Sequence, residues 1–238
     1  MKVLIIGSPR SGTTSLLKGI AKQGYFSNGE PYNYNIGPHK VNNKYPLEGL
    51  DEHKNVIIKT IGYQVPNEKK GTNPVDFGIE FCSHFDKVIL LDRLIWNTHW
   101  DGYVNLFKTL KQKWDYNESI GLPINTPQPK RWDTHGKWVF DSLTKEDYEW
   151  AIENGLDKEL KEEKEIIAGI SEGTNIPITY YENLYGEDRM QAFDIINKWG
   201  LDDIDPFELL DYLDPSNCLL YTSPSPRDNR VSRMPSSA

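Results

Sequence analysis

Along this chain, short uninterrupted apolar runs alternate with longer amphipathic stretches. Residues 3–6 (VLII) form the first run. Three of the four are β-branched and none is polar, which predicts a strand buried on both faces, as in a parallel sheet. Runs of the same kind recur at 55–61 (NVIIKTI) and 87–93 (KVILLDR), with a weaker one at 176–181 (IPITYY). Helical spacing fills the intervals. One helix is expected over 15–23, closed by Gly24, and another over 74–85. A third is expected over 97–114, with Asn97 as N-cap and Trp100, Tyr103, Val104, Phe107 and Leu110 on one side. Thr144-Lys145-Glu146-Asp147 reads as a capping box with Asp in place of Glu. It opens helical sequence to about residue 170, broken near Asn154-Gly155. The charges over 157–165 predict a solvated face. Two closing helices follow over 189–199 and 206–213. Strands alternating with helices predict an α/β fold, a three-layer sandwich around a mostly parallel central sheet.

The first strand runs into Gly7-Ser8-Pro9-Arg10-Ser11-Gly12-Thr13-Thr14, and a helix follows. Strand, glycine turn, helix is the context of a phosphate-cradling loop. Small residues let successive N–H groups turn inward as an anion nest, and the helix adds its positive end. Gly7 and Gly12 sit as in G-x-x-x-x-G-K-[ST], and Thr14 fits the final hydroxyl. The lysine position holds Thr13, so Arg10 is the loop's one cation, a planar guanidinium suited to a phosphate ester.

GSPRSGTTSL resembles the 5′-phosphosulfate-binding loop of sulfotransferases, whose usual core is Pro-Lys/Arg-Ser-Gly-Thr-Thr. The resemblance implies a P-loop NTPase-like fold and the donor 3′-phosphoadenosine 5′-phosphosulfate (PAPS). It implies Arg10 as loop cation, with Pro9, Ser11, Gly12, Thr13 and Thr14 around the 5′ group. GEPYNY resembles the Glu-Pro-aromatic segment that follows the first helix in that family, which implies Glu30 as general base. A carboxylate near an acceptor hydroxyl can take its proton as it attacks sulfur. His39 is the rival base. A strand ending in Lys-Thr recurs in the family and implies that Lys59 steadies the sulfuryl group; a solvent-exposed lysine is the alternative. Arg93, closing the third strand, stands where the family grips the 3′-phosphate; an ion pair is the alternative. The family's serine eight residues later is here Asp101, an anion unsuited to phosphate, and Thr98 is a substitute if the helix shifts by a turn. Tyr181-Glu182-Asn183-Leu184 resembles a Tyr-Glu-Asp-Leu segment of the family and reads as structural.

Composition narrows the picture. The chain has 238 residues, 37% of them hydrophobic and 12% aromatic, enough for a full core. No apolar run approaches a membrane span, so a soluble, cytoplasmic protein is expected. Net charge is −8, which argues against a nucleic-acid coat. Two cysteines, Cys82 and Cys218, make neither a disulfide framework nor a metal pattern. Residues 218–238 are rich in Ser, Pro and Arg, without periodicity, and read as a disordered tail. Without that segment's three Arg and one Asp, the 27 basic and 35 acidic residues come to net −10. Its LLYTSPSPRD resembles translated sequencing-adapter read-through, so the sulfotransferase-like α/β domain is set at 1–217. The expected reaction is metal-free sulfuryl transfer from PAPS to a hydroxyl or amine of a glycan or small molecule. A P-loop kinase using ATP and an inactive nucleotide-binding module are the alternatives.

Overall fold

The structure, a computed structural model, describes residues 1–27, 29–31, 50–62, 64–66, 69–119, 121 and 143–214. His39 and the segment 218–238 lie outside the described residues.

Five strands form one sheet: β1 (Lys2–Gly7), β2 (Phe26–Ser27), β3 (Val56–Ile61), β4 (Lys87–Asp92) and β5 (Ile178–Tyr180). Their order is β2-β3-β1-β4-β5, and every pair is parallel. β1 is the central strand, with Ile5 level with Lys59 on one side and Ile89 on the other. Its apolar run alternates between two cores. Val3 and Ile5 face α1 (Thr13–Lys22), α7 (Arg189–Trp199) and α8 (Pro206–Leu213). Leu4 and Ile6 face α2 (Pro74–Cys82) and α5 (Leu156–Thr174). Helices therefore cover both faces, as an all-parallel sheet requires. A smaller cluster joins α3 (Trp96–Ser119), α4 (Lys145–Glu153) and α5. No helix among the described residues is long and apolar enough to cross a membrane.

Several boundaries differ from the sequence expectation, each for a local reason. α1 starts at Thr13 rather than Ser15, because Gly12 takes the N-cap in a left-handed conformation, φ 89°. α3 starts at Trp96, so Asn97 lies inside the first turn and does not cap it. The first helical bond runs from His99 N–H to Ile95 O, 3.1 Å. The N–H groups of Leu94 and Ile95 go instead to the Glu182 carboxylate, at 2.8 and 3.4 Å. Glu182 belongs to α6 (Tyr181–Leu184), far away in sequence, so no local signal marks this start. α2 ends at Cys82, where the Ser83 hydroxyl takes the Glu80 carbonyl at 2.7 Å. The capping box at Thr144 and Asp147 is present, and α4 stops at Asn154 as the sequence indicates. Cys82 is buried, its thiol pushed up to about 12 by desolvation, which makes it an inert small apolar residue.

Candidate functional site

In an open parallel sheet the ligand crevice lies beyond the carboxyl ends of the strands, where connections diverge to opposite faces. Here that place is between β1, whose chain leaves into α1 on one face, and β4, whose chain returns through α5 on the other. Buried polar side chains concentrate there: Ser8, Ser11 and Thr13 after β1, Lys59, Thr60 and Gln64 at β3, and Asp92, Arg93 and His99 after β4.

The loop after β1 is shaped by its close neighbours. A Cβ on Gly7 would stand 2.5 Å from Thr13 Cγ2 and 2.9 Å from the Leu91 carbonyl. A Cβ on Gly12 would stand 2.8 Å from the Tyr185 ring. Arg10 takes the left-handed region, φ 65°, a strained conformation for a side-chain-bearing residue. Three loop carbonyls are held by side-chain donors. Ser11 Oγ donates to Ser8 O at 2.7 Å, the His99 ring to Pro9 O at 2.7 Å, and Tyr185 OH to Gly12 O at 2.8 Å. The N–H groups of Gly12, Thr13 and Thr14 form no hydrogen bond among the described residues. They sit at the positive end of a ten-residue helix. This is an anion nest in form.

β3 brings a second cluster to the same edge. Lys59 is buried, not solvent-exposed. Its ammonium lies 2.8 Å from Glu30 Oε2 and donates to Thr14 Oγ1 at 2.9 Å. Gln64 donates from Nε2 to Glu30 Oε1 at 2.7 Å. Its own Oε1 accepts from Ile61 N–H at 3.0 Å and Thr60 Oγ1 at 3.1 Å, which fixes which end of the amide faces Glu30. Glu30 is thus joined through one lysine to the helix-start hydroxyl of the loop. A near-buried ion pair loses much of its Coulombic gain to desolvation, so fold stability alone is a weak reason for this one.

At β4, Arg93 is buried. Its Nη1 donates to Thr98 O at 3.0 Å, and its guanidinium lies 4.1 Å from the centre of the Tyr181 ring. Tyr181 stacks in turn on Tyr185 at 4.4 Å. The segment 181–184 is structural as expected, since it carries Arg93, the loop and the start of α3. Asp101 turns away from this edge and accepts from Tyr148 OH of α4 at 2.7 Å. Burial, and then that bond, push the Tyr148 hydroxyl up to about 12. Thr98 spends its hydroxyl on Ile95 O at 3.1 Å. Asp92 accepts from Ser8 Oγ and from Lys164 Nζ, both at 2.6 Å.

No protein-family model, no curated protein and no solved structure matches this chain.

The sequence named four of the charged residues that this edge gathers, Arg10, Glu30, Lys59 and Arg93. It missed Gln64, His99 and Lys164. The solvated face expected over 157–165 is present at Lys158, Glu159, Lys161, Glu162 and Glu165, which are exposed; half-buried Lys164 and buried Glu163 depart from it. The signal was available: Leu156, Leu160, Glu163, Ile167 and Ile170 make one buried stripe on α5, and Lys164 borders it. No cluster of three His, Cys, Asp or Glu fit to hold a metal occurs among the described residues. A cavity of about 800 Å³ lies elsewhere, between β4, β5 and α7. It is lined by apolar residues and the opposed charges of Lys87, Lys198, Asp188 and Asp194. It lacks the convergent donors of the loop edge, so volume is here a poorer guide than chemistry.

Proposed function

We propose that this protein is a sulfotransferase of the P-loop kind, moving a sulfuryl group from PAPS to a hydroxyl or amine of a glycan or small-molecule acceptor. The observation that carries the reading is Lys59, whose ammonium touches both the Glu30 carboxylate and the Thr14 hydroxyl. A carboxylate and the loop after β1 thereby share one edge, which supports the reading.

In this reading the 5′-phosphate sits on the N–H groups of Gly12, Thr13 and Thr14, with Arg10 across it and Ser11 and Pro9 shaping the turn. Arg93 takes the 3′-phosphate. The acceptor oxygen attacks sulfur in line as the S–O bond to the 5′-phosphate breaks. Its proton passes to Glu30, and 3′-phosphoadenosine 5′-phosphate leaves. Charge builds on the departing phosphate, where Arg10 and the loop amides stabilise it, while Lys59 faces the sulfuryl oxygens. Like phosphoryl transfer, this asks the protein for positioning and electrostatics rather than covalent work.

The kinase alternative needs Mg²⁺ between the loop hydroxyl and a carboxylate on the adjoining strand. Thr14 Oγ1 and Asp92 are those groups, and each is in contact with a lysine ammonium, at 2.9 and 2.6 Å. Titration with 3′-phosphoadenosine 5′-phosphate and with ATP plus Mg²⁺ separates the readings. The nucleotide bisphosphate should bind with or without the metal. Tight binding of ATP alone overturns the proposal. A radiolabelled transfer assay against mixed glycans and small alcohols then tests turnover.

A further inference from the structure

Asp92 places a buried carboxylate at the floor of the loop, one residue before Arg93. Left alone, its charge would oppose any anion in the nest above it. Ser8 Oγ approaches Oδ1 at 2.6 Å and brings a hydrogen bond but no charge. His99 of α3 stands with Nδ1 3.8 Å from the same oxygen. Its other ring nitrogen is engaged by the Pro9 carbonyl, Nδ1 has no hydrogen-bond partner among the described residues, and burial favours the neutral ring. The Arg93 guanidinium is directed to Thr98 and Tyr181. The positive charge at Asp92 comes from α5: Lys164 Nζ lies 2.6 Å from Oδ2. The same ammonium donates to the Arg93 carbonyl at 2.5 Å.

We propose that Lys164 is the resident counter-ion of the nucleotide site. It is a positioning residue that cancels Asp92 beneath the phosphate loop and fixes the peptide from which Arg93 projects. One side chain from the far helical layer thus ties together the floor of the 5′ subsite and the root of the 3′ subsite. The inference rests on the nucleotide reading above.

Charge compensation is distinguished from cross-linking by a double-variant cycle. Affinities for inorganic pyrophosphate and for 3′-phosphoadenosine 5′-phosphate are measured by calorimetry on the full chain, with thermal unfolding as a check of folding. Lys164→Met should weaken both probes by about tenfold or more, because it strands a buried carboxylate beside the anion. Lys164→Arg should stay within about threefold. Lys164→Met combined with Asp92→Asn should recover most of the lost pyrophosphate affinity, and Asp92→Asn alone should tighten it. A double variant no better than Lys164→Met overturns the proposal. If Lys164→Met does not fold, the double variant is compared directly with the parent: similar pyrophosphate affinity supports compensation, and a tenfold deficit overturns it. A parent chain that binds pyrophosphate but ignores the nucleotide defeats the sulfotransferase reading, while the pyrophosphate series still decides Lys164. A parent that binds neither probe defeats both.

Discussion

Arg10 combines backbone strain with charge, and the two can be separated by substitution. The left-handed region costs an L-residue roughly 1–2 kcal/mol, and glycine's added chain entropy returns roughly 0.5–1 kcal/mol of that. Arg10→Gly should therefore be more stable than Arg10→Ala by up to about 1 kcal/mol in urea unfolding. Both should lose nucleotide binding in the same titration, and retained binding in either removes the guanidinium from the site. Glu30 makes the opposite split. Glu30→Gln keeps an oxygen for Lys59, so donor affinity should hold while turnover falls by roughly 10²–10⁴; unchanged turnover moves the base elsewhere. His99 is the pH-sensitive residue. Burial pushes its imidazole down to about 4 from an ordinary 6.5, against smaller opposing contributions from Pro9 and Asp92. The unfolded chain then binds the proton more readily, so the contribution is full above pH 6.5 and is lost as pH falls through 4. Between pH 7 and 5 the loss should be about 2 kcal/mol. His99→Gln, which can still donate to Pro9 O, should flatten that limb in denaturation at the two pH values. At this scale the sequence was legible where a motif concentrates residues, as at Pro9 to Thr14. It was not legible where a partner comes from afar: Gln64 and His99 stand alone in their segments, and only folding brings them to Glu30 and Pro9.

The elements show the same division between local and distant causes. α7 and α8 begin where Asp188 and Asp205 accept N–H groups of the first turn, and α4 begins with its capping box. These ends are written within four residues, and the sequence located them. α3 has no such signal, because Glu182 receives the amides at its start. The α2–α5 contact was equally hidden, since isolated glycines in helices read as weak points rather than as partners. A Cβ on Gly78 would stand 2.3 Å from Ile170 Cδ1 and 2.7 Å from Cγ1. One on Gly173 would stand 2.3 Å from Ile79 Cδ1. The two helices interlock through opposed glycine and isoleucine, each using the space the other leaves. Gly78→Ala should consequently destabilise the protein by about 1–3 kcal/mol despite the better helix propensity of alanine. Thr144→Ala, at an exposed cap, should cost about 1 kcal/mol. Chemical denaturation ranks the two. A stabilising Gly78→Ala would mean that the helices are not in the contact described.

At the scale of the whole molecule, the sheet sorts chemistry by edge. The carboxyl ends of β1, β3 and β4 hold Arg10, Lys59, Glu30, Arg93 and Asp92, while the flank of β4 and β5 under α7 holds the large cavity. A ligand chosen by volume would settle under α7, and one chosen by charge and free amides would settle at the carboxyl edge. Nucleotide phosphates gain most from oriented N–H groups and guanidinium, and no arginine is among the described residues that line the cavity. Hydrogen exchange with and without 3′-phosphoadenosine 5′-phosphate distinguishes the two. Amides 12–14 and 94–96 should slow on binding, because the ligand takes up the N–H groups of Gly12, Thr13 and Thr14 and fastens the root of α3. Amides 87–89 and 190–199 should exchange as before. The β1 amides, already between two cores, should be among the slowest in both states. Slowing around α7 with an unchanged loop would place the ligand in the large cavity. The loop would then be a strained turn with another purpose, and the charges gathered around it would need another partner.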